Sequence, residues 1–261
     1  MILGSENITD ELLDFHLIGP ITAHQFLLIF AGVFMVGLFW WAARRLPHAP
    51  KATGLLALLE FGLVWVRDEV VYPWLGPEEG RRYLPLCWTM FFFVLFSNLF
   101  GLMPFSVVPH ARTDVFTVAT GNIAVTGGLA IIVFVIVLMA GMRVHGIGGY
   151  WKTLVPGGVP APLVPIIWFL EFVGLLTRTF ALAIRLFANM LAGHALLGIL
   201  FGFLIGIEVV ASPTSSILPT AGSALFLICV MLFEVLIALI QAYIFTILTA
   251  IFISLSVAEA H

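Results

Sequence analysis

Hydrophobic and polar positions in this chain fall into long blocks rather than a short alternation. Five stretches carry no Asp, Glu, Lys or Arg: Phe15–Ala43, Tyr83–Ala111, Val115–Met142, Leu186–Ile207 and Val235–Ala258. A helix that crosses a bilayer needs about 20 apolar residues, and each block is long enough. The pattern predicts an all-α, polytopic membrane protein with about five membrane-embedded helices. Residues 1–23 read as an external N-terminus and 24–45 as the first spanning helix. Lys51–Trp74 mixes Glu60, Arg67, Asp68 and Glu69 with Leu, Phe, Val and Trp, which predicts an amphipathic helix on the cytoplasmic face. Pro73, Gly76, Pro77 and Gly80 are expected to end it. Two spanning helices follow within 83–142, over Tyr83–Pro104 and Val115–Met142, with Gly146–Pro165 as a cytoplasmic linker.

The terminal region, 165–257, holds two apolar stretches of roughly 40 residues, or about 60 Å of helix each at 1.5 Å per residue. The hydrocarbon core is about 30 Å thick, and an ordinary tilt of about 20° does not absorb a twofold excess. Pro165–Ile207 and Ile217–Val257 are therefore expected to be strongly tilted or broken. The polar turn Ser212–Ser216 makes them an antiparallel hairpin.

Composition supports the membrane reading. Charged residues make up only 10% of the chain, against about 25% in soluble domains. The net charge of −3 and the lack of any basic block exclude a nucleic-acid partner. Cys87 and Cys229 lie in apolar runs and read as small hydrophobes, with no metal-ligand spacing. No cofactor or metal is expected. The N-terminus is acidic through Asp14, which speaks against a basic-headed signal or an Arg-rich transit peptide. Most Lys and Arg residues fall on one side if three segments cross between them. The N-terminus is then outside and the C-terminus cytoplasmic.

The hairpin carries the candidate chemistry. Its first helix holds Glu171, Arg178 and Arg185 at spacings of seven, followed by Asn189 and His194. Its second helix holds Glu234, Gln241 and Thr249. In an antiparallel hairpin, facing residues share one midpoint. His194 with Glu234, Arg185 with Gln241 and Arg178 with Thr249 all centre near Pro213, inside the turn assigned independently. An Arg at the bilayer centre costs about 2.5–3.5 kcal/mol on insertion scales. Arg178 has an acid seven residues back, or can snorkel to the interface. Arg185 has no acid at three or four residues either way, so it calls for a counter-ion on another chain. His194 and Glu234 fit either a structural pair or a protonatable relay. Asn98 fits an interhelical hydrogen bond, and Asp114 a helix cap or solvated charge at the external mouth.

The decapeptide Arg185-Leu186-Phe187-Ala188-Asn189-Met190-Leu191-Ala192-Gly193-His194 closely resembles the signature of subunit a of the F-type ATP synthase. Glu78–Pro85, Ser97–Pro104, Val144–Gly146 and Gln241–Phe245 resemble the same family, so the likeness runs from about Lys51 to the C-terminus. It is nearest the alphaproteobacterial and mitochondrial branch, with His after Ala-Gly and an acid on the facing helix. The resemblance implies a stator beside a rotating c-ring whose subunits each carry one membrane carboxylate. It implies the essential arginine at Arg185, the second-helix glutamine at Gln241, the access pair at His194 and Glu234, and the asparagine at Asn189. Subunit b and the other ATP synthase subunits are the further implied partners, with lipid around them. A bacterial inner membrane is expected ahead of the mitochondrial one. The chain departs from the family over Thr179–Ala183, where relatives often have Pro and Ser, and at Gly157-Gly158, where a Lys is common.

The implied mechanism has two half-channels: an external one lined by Asn98, Asp114, His194 and Glu234, and a cytoplasmic one near Glu171 and Arg178. Arg185 stands between them. His194, and the absence of a dense oxygen-ligand set, favour protons over sodium. The competing readings are a secondary transporter with Arg185 binding an anion, for which internal repeats are missing, and a purely structural membrane subunit.

Overall fold

The computed structural model describes residues 16–18, 21–45, 53–102, 121–155, 159–210 and 217–258. Among these, five helical segments are long and apolar enough to cross a membrane: Gln25–Arg45, Leu55–Gly101, Ile123–His145, Ala161–Leu197 and Leu225–Val257. The chain is an all-α, multi-pass membrane protein, as its block pattern predicts. A short antiparallel strand pair, β1 (His16–Ile18) and β2 (Ile21–Thr22), precedes the first helix and has no counterpart in the sequence reading.

Helix α1 spans Ala23–Arg45, and Arg44 and Arg45 lie at the negative end of its dipole. The expected amphipathic helix and second spanning helix turn out to be joined. Helix α2 (Leu55–Trp65) passes through a π-helical turn, Val66–Val71, into α3 (Tyr72–Gly101). The π turn contains Arg67, Asp68 and Glu69, and Arg67 Nε meets Asp68 Oδ1 at 2.7 Å. Of the four residues expected to end the helix, Gly76 alone leaves helical geometry, with φ 70° and ψ 172°. Pro77 follows at once. Its missing N–H costs little there because it opens a new helical stretch. Gly80 keeps the helix close to Tyr72, whose Cδ1 would lie 2.8 Å from a Cβ at that position.

Helix α4 (Ile123–His145) begins eight residues after the predicted Val115. The expected linker contains helix α5 (Ile147–Thr153) and a 3-10 turn, Ala161–Leu163. Helices α6 (Val164–Val210, 47 residues) and α7 (Ile217–Val257, 41 residues) form the terminal hairpin. Both run unbroken, about 70 and 60 Å long at 1.5 Å per residue. Breakage is thus removed as an explanation of their length. Both are predominantly apolar, with the charged residues of α6 at Glu171, Arg178, Arg185 and Glu208.

The fold resolves into two compact units. The first comprises residues 1–38, 93–122 and 187–241. In it, Phe30 and Phe34 of α1 pack edge-on against Phe100 of α3, with centroids 5.1 and 5.0 Å apart. Leu102, Leu197 and Leu227 form its apolar core, with Leu99, Leu200, Val230 and Met231 against them. The second unit comprises 39–92, 123–186 and 242–261. There Trp65 meets Phe91 and Tyr243, with centroids 5.9 and 5.5 Å away, and the Trp88 indole N–H donates to the Leu63 carbonyl at 2.9 Å. The end of α7 is tied down twice: Ser254 Oγ donates to the Trp74 carbonyl at 2.7 Å and Ser256 Oγ to that of Val137 at 2.8 Å. Gly141 of α4 makes the second tie fit, because the Tyr150 ring and the Ser256 hydroxyl occupy the space a Cβ would need.

Candidate functional site

Burial along α6 follows the 3-4 spacing of a packed helix face: Leu182, Leu186, Met190, Gly193 and Leu197 are all buried. Along α7 the buried positions include Leu227, Glu234, Ala238, Gln241, Phe245, Thr249 and Ile253. Glu234 and Gln241 thus occupy the buried stripe of α7, where a polar group normally requires a partner. Glu234 is 3% exposed.

The carboxylate of Glu234 lies directly against Gly193. A Cβ at position 193 would be 2.7 Å from both Cδ and Oε1 of Glu234, and closer still to Oε2. The pair Gly193 and Glu234 has the same midpoint as the register read from the sequence. The hairpin therefore brings Glu234 against Gly193, the neighbour of His194 in the chain. The His194 side chain is outside the described residues, so its pairing with Glu234 is not part of this geometry. Sequence reasoning missed Gly193. The available signal was a glycine inside an otherwise bulky helix, opposite the register position of an acid.

Arg178 pairs with Glu171, Nη2 to Oε2 at 3.9 Å, on an exposed face. That is the acid seven residues back named from the sequence; Thr249, the register position opposite Arg178, is fully buried and donates its hydroxyl to the Phe245 carbonyl at 2.8 Å. A helix interior offers Thr its own backbone acceptor, which satisfies the hydroxyl locally. Arg185 is exposed and makes no ion pair among the described residues. Asn189 is half-buried and Asn98 fully buried. Gln241 is 4% exposed, and its amide nitrogen has no hydrogen-bond partner among the described residues. Asp114 lies outside the described residues. No group of His, Cys, Asp or Glu among the described residues could hold a metal ion.

The candidates divide between the two units. Asn98, Asn189, Glu234 and Gln241 belong to the first; Glu171, Arg178 and Arg185 belong to the second. The hairpin thus carries a buried acid and amides in one half and an exposed run of charge in the other.

A family model described as ATP synthase A chain matches residues 25–254. The chain belongs to the ATP synthase subunit a family. Among similar proteins, ATP synthase subunit a of Myxococcus xanthus is 41% identical over 245 residues, covering 92% of this chain and 74% of the relative. Subunit a of Anaeromyxobacter dehalogenans is 38% identical, covering 89% of this chain but 56% of its own length, so the chain spans little more than half of that relative. Subunit a of Hyphomonas neptunium, an alphaproteobacterial relative of the expected branch, is 35% identical over 88% of this chain and 84% of its own.

Proposed function

We propose that this chain is the proton-translocating stator subunit of an F-type ATP synthase, and that Arg185 separates two aqueous half-channels that open against a c-ring. Membership of the family supports a place in the ATP synthase complex as its multi-pass membrane subunit. The observation that carries the finer reading is Arg185 itself. It is an exposed cation on an unbroken apolar helix, with no ion pair among the described residues. A bare guanidinium at this depth is costly, and a carboxylate on a neighbouring chain supplies the missing charge.

Protons enter from the outside along Asn98, Asp114, His194 and Glu234 and neutralise a ring carboxylate. The neutral carboxyl then turns into lipid without carrying a bare charge there. On return it releases its proton to the cytoplasmic path near Glu171 and Arg178. Asn189 and Gln241 are neutral donors near the crossing point. Arg185 attracts each deprotonated carboxylate and keeps the two half-channels apart. The driving force is about 2.3 kcal/mol per charge per 100 mV. Subunit b is the further stator partner. The bacterial inner membrane is the proposed location, with the N-terminus outside and the C-terminus in the cytoplasm.

The test is Arg185→Ala in the assembled complex. ATP synthesis driven by a proton gradient is expected to vanish, while the complex is recovered intact with its other subunits. Synthesis at the wild-type rate would overturn the role given to Arg185.

A further inference from the structure

The end of α1 holds a feature the proton path does not use. Trp40 and Trp41 are followed four residues later by Arg44 and Arg45, so two Trp–Arg pairs stand side by side on one helix turn. The Arg44 guanidinium carbon lies 3.8 Å from the Trp40 ring centroid, and that of Arg45 lies 5.4 Å from Trp41. A guanidinium held over a ring face is oriented by the ring quadrupole, yet its N–H groups point outward in its own plane and stay free to donate. Both arginines are exposed, and neither makes an ion pair among the described residues. Trp40 is 58% exposed, so its stack sits on the outside of the molecule.

Depth fixes what these donors meet. No charged residue lies between Gln25 and Ala43, and Gln25–Arg45 is 21 residues, about 30 Å of helix. That matches the hydrocarbon thickness, so the arginines stand at the level of lipid headgroups, where Trp also concentrates. Val36 and Val33 precede Trp40 at helical spacing and are 64% and 66% exposed. They continue the stripe toward the bilayer interior, where an acyl chain runs. We propose that Arg44 and Arg45, braced by Trp40 and Trp41, form a seat for the phosphodiester of an anionic phospholipid. Two oriented forks at phosphate depth, above an apolar track, suit a phosphate that is attached to an acyl chain.

The complex containing this chain is placed in nanodiscs of phosphatidylcholine with a minor fraction of photoactivatable phosphatidylglycerol, and labelled peptides are mapped by mass spectrometry. The probe is expected to label the segment around residues 40–45, whereas a photoactivatable phosphatidylcholine labels it weakly. Each basic residue near an anionic surface is worth about fivefold in partitioning, so R44Q/R45Q should lower labelling by about 25-fold. R44K/R45K keeps the charge and the insertion signal but loses the planar fork, and should retain part of the labelling. Chain recovered from the membrane is measured for each variant, so that failed insertion is seen as such. Equal labelling by the zwitterionic probe, or no loss in R44Q/R45Q, overturns the proposal. Competition by inorganic phosphate assigns the seat to free phosphate and overturns the lipid. A cross-link from R44K to an acid of another subunit in place of lipid overturns it too.

Discussion

A methyl group at position 193 would meet the carboxylate of Glu234 at 2.7 Å from its Cδ and Oε1 atoms. The close approach holds a buried acid against the backbone of the facing helix, where longer side chains would push it away. Forcing an extra carbon into such a contact costs about 1–3 kcal/mol. Gly193→Ala is therefore expected to lower proton pumping, read as dye quenching in inverted vesicles, by about fivefold or more for a cost of that size. Gly193→Ala with Glu234→Asp should recover part of it, because the shorter acid makes room. If Gly193→Ala pumped normally, the contact would have no part in the path. The His194–Glu234 relay has a separate test. Exchanging the two residues should keep more transport than removing both, and equal loss would count against their pairing.

At the scale of the element, glycines on a single helix behave differently according to what faces them. On α4, a Cβ at Gly128 has nothing within 4 Å, whereas at Gly141 it runs into the Tyr150 ring and the Ser256 hydroxyl. Gly128→Ala is expected to be neutral or to stabilise by up to about 1 kcal/mol through helix propensity. Gly141→Ala should loosen the end of α7 and lower the amount of chain recovered in membranes, as measured by immunoblot. The break in α3 is a third case. Gly76 sits at φ 70° and ψ 172°, a region almost confined to glycine, where another residue costs about 1–3 kcal/mol. Gly76→Ala should reduce assembled complex, and an unchanged yield would show that the kink is dispensable.

At the scale of the whole molecule, the exposed side of α6 is the surface proposed to meet a rotor. Ala188 and Ala192 are exposed beside Arg185, and Met190 is buried. Cysteine at 188 or 192 is expected to form oxidant-induced disulfides with cysteines placed in the ring helix, and cysteine at 190 is not. Disulfides from position 190 alone would put the ring on the opposite face. The charge-free blocks made the five spanning segments legible, because a bilayer imposes a length and a polarity on every crossing. The hairpin register was legible for a similar reason: equal helical rise on both arms gives facing residues a fixed midpoint, and Gly193 with Glu234 obeys it.

By itself the sequence determined the apolar spanning segments and the hairpin, and it singled out Arg185 as the charge on which the proposed function rests. These follow from hydrophobic length, helical periodicity and the cost of a bare cation in lipid. Only the tertiary structure decided how polar groups are satisfied locally. It gave Thr249 to its own backbone, and it set Glu234 against a glycine that carries no polar side-chain atom. It also showed that Pro73 and Gly80 continue a helix that Gly76 alone interrupts. Those outcomes depend on which atoms occupy the space beside a residue, and spacing along the chain does not record that.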